Sequence, residues 1–199
     1  MNAKIIMTLR NVEFVEKNTV CMAFKGCNDV VKCYALYLEE EDQKKLGFLT
    51  HEVVKEMGLS LEELDKIAIK NTLSNGDAVL YNVQEYLIKV LSGSTAKNFF
   101  EIEDDDYTID WSHGEMYTLT NEQAFQGAAL IAIPEIREKL LNLFNENLII
   151  IPSSVHEIII IPQGVLPTNE LEEHIKDVNS NFVSEGDVLS DKPFILEYK

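Results

Sequence analysis

Long apolar runs are missing from this sequence. No stretch approaches the roughly 20 residues that a bilayer span requires. The apolar positions near the N-terminus, Ile5, Ile6, Met7 and Leu9, stop at Arg10 and Asn11, too few for a secretory h-region and with no small-residue cleavage site behind them. These absences predict a cytoplasmic protein with no membrane partner. Cysteine is scarce as well. Cys21, Cys27 and Cys33 make an odd count at intervals of six, which fits neither a disulfide framework nor the close C-x-x-C pairs of a zinc site. Unpaired thiols of this kind are expected to pack as small apolar residues. The four histidines, His51, His113, His156 and His174, show no H-x-x-x-H or H-E-x-x-H spacing. With no glycine-rich phosphate cradle either, neither a metal nor a cofactor is expected.

Positive charge is the other shortage. Against 34 Asp and Glu stand 17 Lys and Arg, a net charge of −17 over 199 residues. The deficit is uneven: residues 1–100 carry 12 basic against 14 acidic side chains, a net of −2, and residues 101–199 carry 5 against 20, a net of −15. Such a surface repels phosphate backbones, so direct nucleic-acid binding is not expected. It serves solubility, or it suits a basic protein partner.

What is present is organised around Leu148–Pro162, LIIIPSSVHEIIIIP. Isoleucine runs on either side of Pro152-Ser153-Ser154 read as two strands joined by a turn. From Val155 to Ile161 the polar/apolar alternation nearly vanishes, which predicts a central strand covered on both faces. Before it, Lys4–Arg10, Val30–Leu38 and Lys45–Thr50 read as strands. Thr50 caps a short helix with Val53, Val54 and Met57. Ser60-Leu61-Glu62-Glu63 is a capping box for a helix carrying Leu61, Leu64, Ile67 and Ala68. Asn82 and Glu85 repeat that pattern ahead of an apolar stripe of Val83, Tyr86, Leu87, Val90 and Leu91, which Gly93 ends.

Residues 92–114 read as a connector, with the acidic run Glu103 to Asp110 expected to be a solvated linker and the lone Trp111 beside it. The expected organisation is thus an N-terminal subdomain over 1–95, an acidic connector over 96–114 and a C-terminal subdomain over 115–199. In the latter, Glu115–Asn121 and Gly127–Ile133 read as strands. Pro134 opens a helix with Ile136, Leu140, Leu143 and Phe144 on its buried stripe. Asn169 caps another with Leu171, Ile175, Val178 and Phe182, and Phe194–Tyr198 adds a last strand. Hairpin-paired strands with helices predict an α+β fold, mainly antiparallel, with the helices on one face.

No catalytic constellation stands out. Ser154 and His156 tempt toward a hydrolase, but residues along one strand do not converge, and the G-x-S-x-G elbow is absent. A histidine satisfied by hydrogen bonds is the commoner finding. Three functional readings remain: a non-catalytic acidic binding module; an enzyme of unidentified reaction in which His156, Ser154, Asn121 and Asp191 meet at the end of the sheet; or a structural domain of a larger protein.

In the second half, EMYTLTN, GAALIAIPEIREKL, LIIIPSSVHEIIIIP and a closing LSD at Leu189–Asp191 follow one another. Together they resemble an uncharacterised family of Gram-positive gut bacteria, domain-of-unknown-function family 5688. The first half is similar to it through KIIMTLRN, VVKCYALYLEE and GLSLEELDKIAIKNT. The chain departs from the family pattern at Ala23-Phe24-Lys25-Gly26, where a Pro-His pair is usual. It departs again at Leu73-Ser74, where Pro-Arg is usual after Asn-Thr. The resemblance further implies that an N-terminal segment common in the family is missing here. It implies no activity.

Overall fold

The computed structural model describes residues 3–40, 43–101, 116–162 and 168–198. Two antiparallel sheets and their helices form an α+β fold. In the first sheet, β3 (Val30–Glu40) is central. One edge of it pairs with β1 (Lys4–Asn11), and the other is shared by β2 (Cys21–Ala23) and then β4 (Gln43–Phe48). Helix α1 (His51–Glu56) starts at Thr50, whose side chain accepts the Val53 amide as expected. Helix α2 (Leu61–Leu73) starts at Ser60 with both bonds of the capping box formed.

The end of α2 closes a sheet edge. Among the described strands β1 pairs with β3 alone, so its outer backbone groups need partners, since an open edge invites association with other chains. Asn71 donates to Ile5 O at 2.8 Å, and Thr72 Oγ1 accepts the Met7 N–H at 3.0 Å. Below, Leu64 and Ala68 of α2 pack in the same apolar cluster as Met7, Leu9, Val30 and Tyr34.

The second sheet has the order β5 (Ala78–Asn82), β6 (Tyr117–Asn121), β8 (Ile158–Pro162), β7 (Leu148–Ile151), β9 (Phe194–Leu196). The isoleucine strand β8 is central, as its lost alternation requires. Ile158 and Ile160 join the main core, which also takes in α4 (Pro134–Phe144) through Ile136, Leu140 and Phe144. Ile161, with Ile149 and Ile151 of β7, faces Leu171 and Ile175 of α5 (Thr168–Phe182) on the opposite side. The α+β class stands, but the helices of this sheet are not confined to one face. A strand with no polar side cannot leave either side to water. The main core draws on residues from both sides of the expected connector, Met7 and Leu64 as well as Leu130 and Ile150.

Several expectations are corrected. Gly127–Ile133 is not a strand; Gly127–Ala132 is a buried 3-10 helix wedged under the sheet. Strand β5 is absent from the expected elements, although Ser74-Asn75-Gly76-Asp77 sets its apolar run off from α2 as a turn would. Helix α3 (Val83–Ser92) begins at Asn82, but Glu85 accepts the Lys97 amide rather than returning to the cap. None of its residues is fully buried: Val83 and Tyr86 are half-covered, and Leu87, Val90 and Leu91 of the stripe are open to solvent, Leu91 85% exposed. On α5 the buried stripe runs through Leu171, Ile175 and Asn179, while Val178 and Phe182 point outward. Asn169 lies within that helix rather than capping it. Of the expected connector, Phe99 is buried edge-on against Tyr117 at 5.0 Å. The acidic run from Glu103 to Asp110, Trp111 and His113 lie outside the described residues.

Candidate functional site

The enzyme alternative requires His156, Ser154, Asn121 and Asp191 to meet at the end of the sheet. His156 and Glu157 were expected within a strand. They are not: β8 begins at Ile158, and residues 152–157 form the loop between β7 and β8. The reason is local satisfaction of the backbone, which competes with strand pairing. Ser154 Oγ accepts the His156 N–H at 3.1 Å, and Thr120 Oγ1 donates to His156 O at 2.8 Å. Ser154 thus bonds the backbone of His156, not its ring.

The ring of His156 is held by a second loop. Its Nδ1 accepts the Gln126 N–H at 3.3 Å, and the Phe125 ring lies beside it at 5.8 Å. Its Nε2 is 3.8 Å from Asp187 Oδ1, beyond hydrogen-bond length. Asn121 shapes that second loop. Its Oδ1 accepts the amides of Gln123 at 3.1 Å and Phe125 at 3.2 Å, and its Nδ2 donates to Phe125 O at 2.9 Å. Ala124 and Gln126 both take left-handed backbone conformations in it, a strain that the surrounding bonds must hold in place. The buried Gln126 side chain reaches across to the first sheet, where its Oε1 accepts from Thr8 Oγ1. Asn121 and His156 are therefore joined through one loop, with every named polar atom of Asn121 engaged by backbone.

Asp191 belongs to a neighbouring cluster. Its Oδ1 accepts from Asn179 Nδ2 at 2.8 Å; Asn179 also donates to Ser190 O at 3.3 Å and accepts from Ser153 Oγ at 3.2 Å. Ser190 Oγ donates to Asp29 Oδ2 at 3.2 Å, and Asn11 donates to Leu189 O at 3.0 Å. Asn179 is only 4% exposed. Asn179 is absent from the helix stripe expected from the sequence, which ran through Leu171, Ile175, Val178 and Phe182. The helical spacing of Leu171, Ile175 and Asn179 was the available signal.

Nothing here resembles a nucleophile and base within reach of each other. A cavity of about 540 Å3 lies elsewhere, between Lys25, Arg137, Leu141 and Phe194–Tyr198. Asp191 lines two others, of about 260 Å3 with Asn11, Asp29 and Lys192 and of about 460 Å3 with Asn179 and Val188, and His156 is not among the lining residues of either.

A family model matches residues 1–197. The chain belongs to the family of unknown function DUF5688. No curated protein and no solved structure matches it. The DUF5688 resemblance seen in the sequence now has a physical content, because its separate motifs bond to one another. The Leu-Thr-Asn end of β6 supplies Thr120 and Asn121; the Pro-Ser-Ser loop supplies Ser153 and Ser154 around His156; and the Leu-Ser-Asp segment docks on Asn179, Asp29 and Asn11. Gly127 opens the Gly-Ala-Ala segment where the loops cross. A Cβ there would sit 2.6 Å from His156 O and 2.8 Å from Asn121 N, and closer still to Thr120 Oγ1. This is a joint that ties the two sheets together.

Glu157 follows His156 in this loop and is half-buried. Burial pushes its carboxyl above the usual range, and the neighbouring His156 pulls weakly the other way. The folded state thus holds the Glu157 proton more tightly than the unfolded chain does. Its carboxylate costs stability near neutral pH, and the cost fades as pH falls through the raised value to below the ordinary one of about 4.3. Glu157→Gln is expected to melt higher than wild type near pH 7, with the advantage shrinking toward about pH 4. Thermal unfolding at both pH values checks this; an advantage that is absent, or that grows as pH falls, contradicts it.

Proposed function

We propose that this protein is a non-catalytic binding module whose partner is a protein with a basic surface. The observation that carries the reading is the outer face of α5. Glu170, Glu172, Glu173 and Asp177 are exposed there against the single basic side chain Lys176. The same helix also exposes two apolar side chains, Val178 and, at its C-terminal end, Phe182, the latter 84% exposed. A helix face of one charge sign that also exposes an aromatic side chain suits recognition of a basic surface, where the charges steer and orient and the ring supplies apolar contact. The engagement of Ser154, Asn121, His156 and Asp191 in fold-holding bonds takes the centre away from the catalytic alternative.

The test is capture from a lysate of the source organism on the immobilised full chain, with nuclease present. It is run beside a variant carrying Glu172→Gln, Glu173→Gln and Asp177→Asn. All three positions are exposed, so the variant keeps the fold. The expected result is a basic protein retained by the wild type, released at about 1 M salt, where the screening length falls to about 3 Å, and lost on the variant. Equal retention by both chains, or none by either, overturns the reading.

A further inference from the structure

Among the motifs the joint does not absorb, the cysteines change most between sequence and structure. Cys21 and Cys33 are 12 residues apart in the chain but are direct partners across β2 and β3. Their sulfurs lie 3.0 Å apart in hydrogen-bond contact, and both are free thiols. We propose that Cys21 and Cys33 form a peroxide-reactive dithiol that closes into a disulfide across these two strands.

Geometry is the first support. Directly opposed residues of an antiparallel pair have Cα atoms about 4.5 or 5.5 Å apart, inside the range of about 4.4–6.8 Å that a disulfide spans. The sulfurs need approach by only about 1 Å to reach bonding distance, and no backbone movement is required. Access is the second. Cys21 is half-buried, and Cys33 lines a cavity of about 260 Å3 together with Arg10, Thr19 and Phe48, ample for a peroxide molecule. Charge is the third. The Arg10 guanidinium lies over the Phe48 ring at 5.2 Å, and its buried Nη1 has no hydrogen-bond partner among the described residues. Its positive charge favours the thiolate of Cys33, which the second, disulfide-closing step forms. Among the described residues no group of three or more His, Cys, Asp or Glu gathers here, so two sulfurs alone do not make a metal site.

The two thiols are not equivalent. Either sulfur can donate in their contact, but Cys21 is half-exposed and Cys33 buried; with Cys33 donating, the Cys21 thiol is pulled below its ordinary value, while the same contact and burial push Cys33 up. Cys21 is the attacking thiolate. Its sulfur attacks one oxygen of hydrogen peroxide, the O–O bond breaks, and hydroxide leaves and takes up a proton, giving water and a Cys21 sulfenic acid. Cys33 then loses its proton as its sulfur attacks the Cys21 sulfur. The S–O bond breaks, and a second water leaves. Two thiols and one hydrogen peroxide become one disulfide and two waters.

The experiment uses the full native chain with a small excess of hydrogen peroxide, followed by alkylation in denaturant and peptide mapping. The expected product is about 2 Da lighter before alkylation, with Cys21 linked to Cys33 and Cys27 alkylated. Cys33→Ser is expected to stop at the sulfenic acid and to take a dimedone label on Cys21 at least about tenfold faster than Cys27 does. Cys21→Ser is expected to form neither product. The proposal is overturned if Cys27 oxidises as fast as Cys21 in the native wild type, if the link forms only after unfolding, or if it forms between chains. The wild-type mapping decides even where a variant does not fold.

Discussion

Gly127→Ala is expected to destabilise the fold by about 3 kcal/mol, at the upper end of the cost of overpacking a filled interior. The added methyl meets His156 O and Asn121 N, both backbone atoms, and the hydroxyl of Thr120. Thr120 Oγ1 is already committed to His156 O. A flexible side chain could swing away, but these atoms are fixed by β6, by the Asn121 turn and by the loop before β8, so relief means moving the joint. Because Gly127 takes an ordinary backbone conformation, the effect is one of space and not of backbone freedom. Urea unfolding reads it directly. A loss under about 1 kcal/mol, the level of ordinary surface substitutions or slightly above, shows that the joint yields and is not close-packed.

Asn179→Ala is expected to cost about 2–3 kcal/mol. A buried group stripped of its partner loses the full cost of its desolvation, roughly 1–3 kcal/mol, and more where a charge is involved. Removal of the Asn179 amide leaves Asp191 Oδ1, Ser190 O and Ser153 Oγ each short of one bond. Asn179→Asp is a sharper version, because it keeps the size and acceptor but places a second carboxylate against Asp191. It is expected to be at least as costly as alanine near neutral pH. Ser153→Ala removes only one neutral bond and is expected to cost about 1 kcal/mol. Equal effects from Ser153→Ala and Asn179→Ala in chemical denaturation contradict the placement of Asn179 at the centre.

Parts of this arrangement were legible in the sequence where one residue type carries one physical meaning. The isoleucines of β7 and β8 announced a strand buried on both faces. Ser60 with Glu63 announced the start of α2, and Gly93, in its left-handed conformation, the end of α3. Reading failed where an apolar string has two uses. Gly127–Ala132 has the composition of a buried strand, but its glycine sits where three other segments cross, and a short 3-10 helix followed by Pro134 fits that space. The outward stripe of α3 shows the opposite failure, since helical periodicity marks a face but not whether the fold covers it.

The site was legible as residues and not as roles. Ser154, His156, Asn121 and Asp191 were singled out because they are chemically capable. Their bonds to backbone and to Asn179 depend on loops that cross from residues 120–127 to 153–157 and 187–191. Long-range crossing of this kind has no periodicity to betray it. The cysteines illustrate the same limit: an interval of 12 residues hides a cross-strand contact that only the β2–β3 register creates.

The loops that join the DUF5688 motifs bond to one another and are expected to open only with the whole fold. Native-state amide hydrogen exchange at Gln126, Ala128, Val155, His156 and Leu189 tests it most directly. These amides donate respectively to His156 Nδ1, Val155 O, Asp187 O, Ser154 Oγ and Ser153 O. Elements that open only with the whole molecule exchange at the free energy of global unfolding, whereas mobile loops exchange at close to zero. The account predicts that all five amides are protected to the same level as those of β8. Exchange of the Gln126 and His156 amides near the unprotected rate, with β8 fully protected, contradicts it.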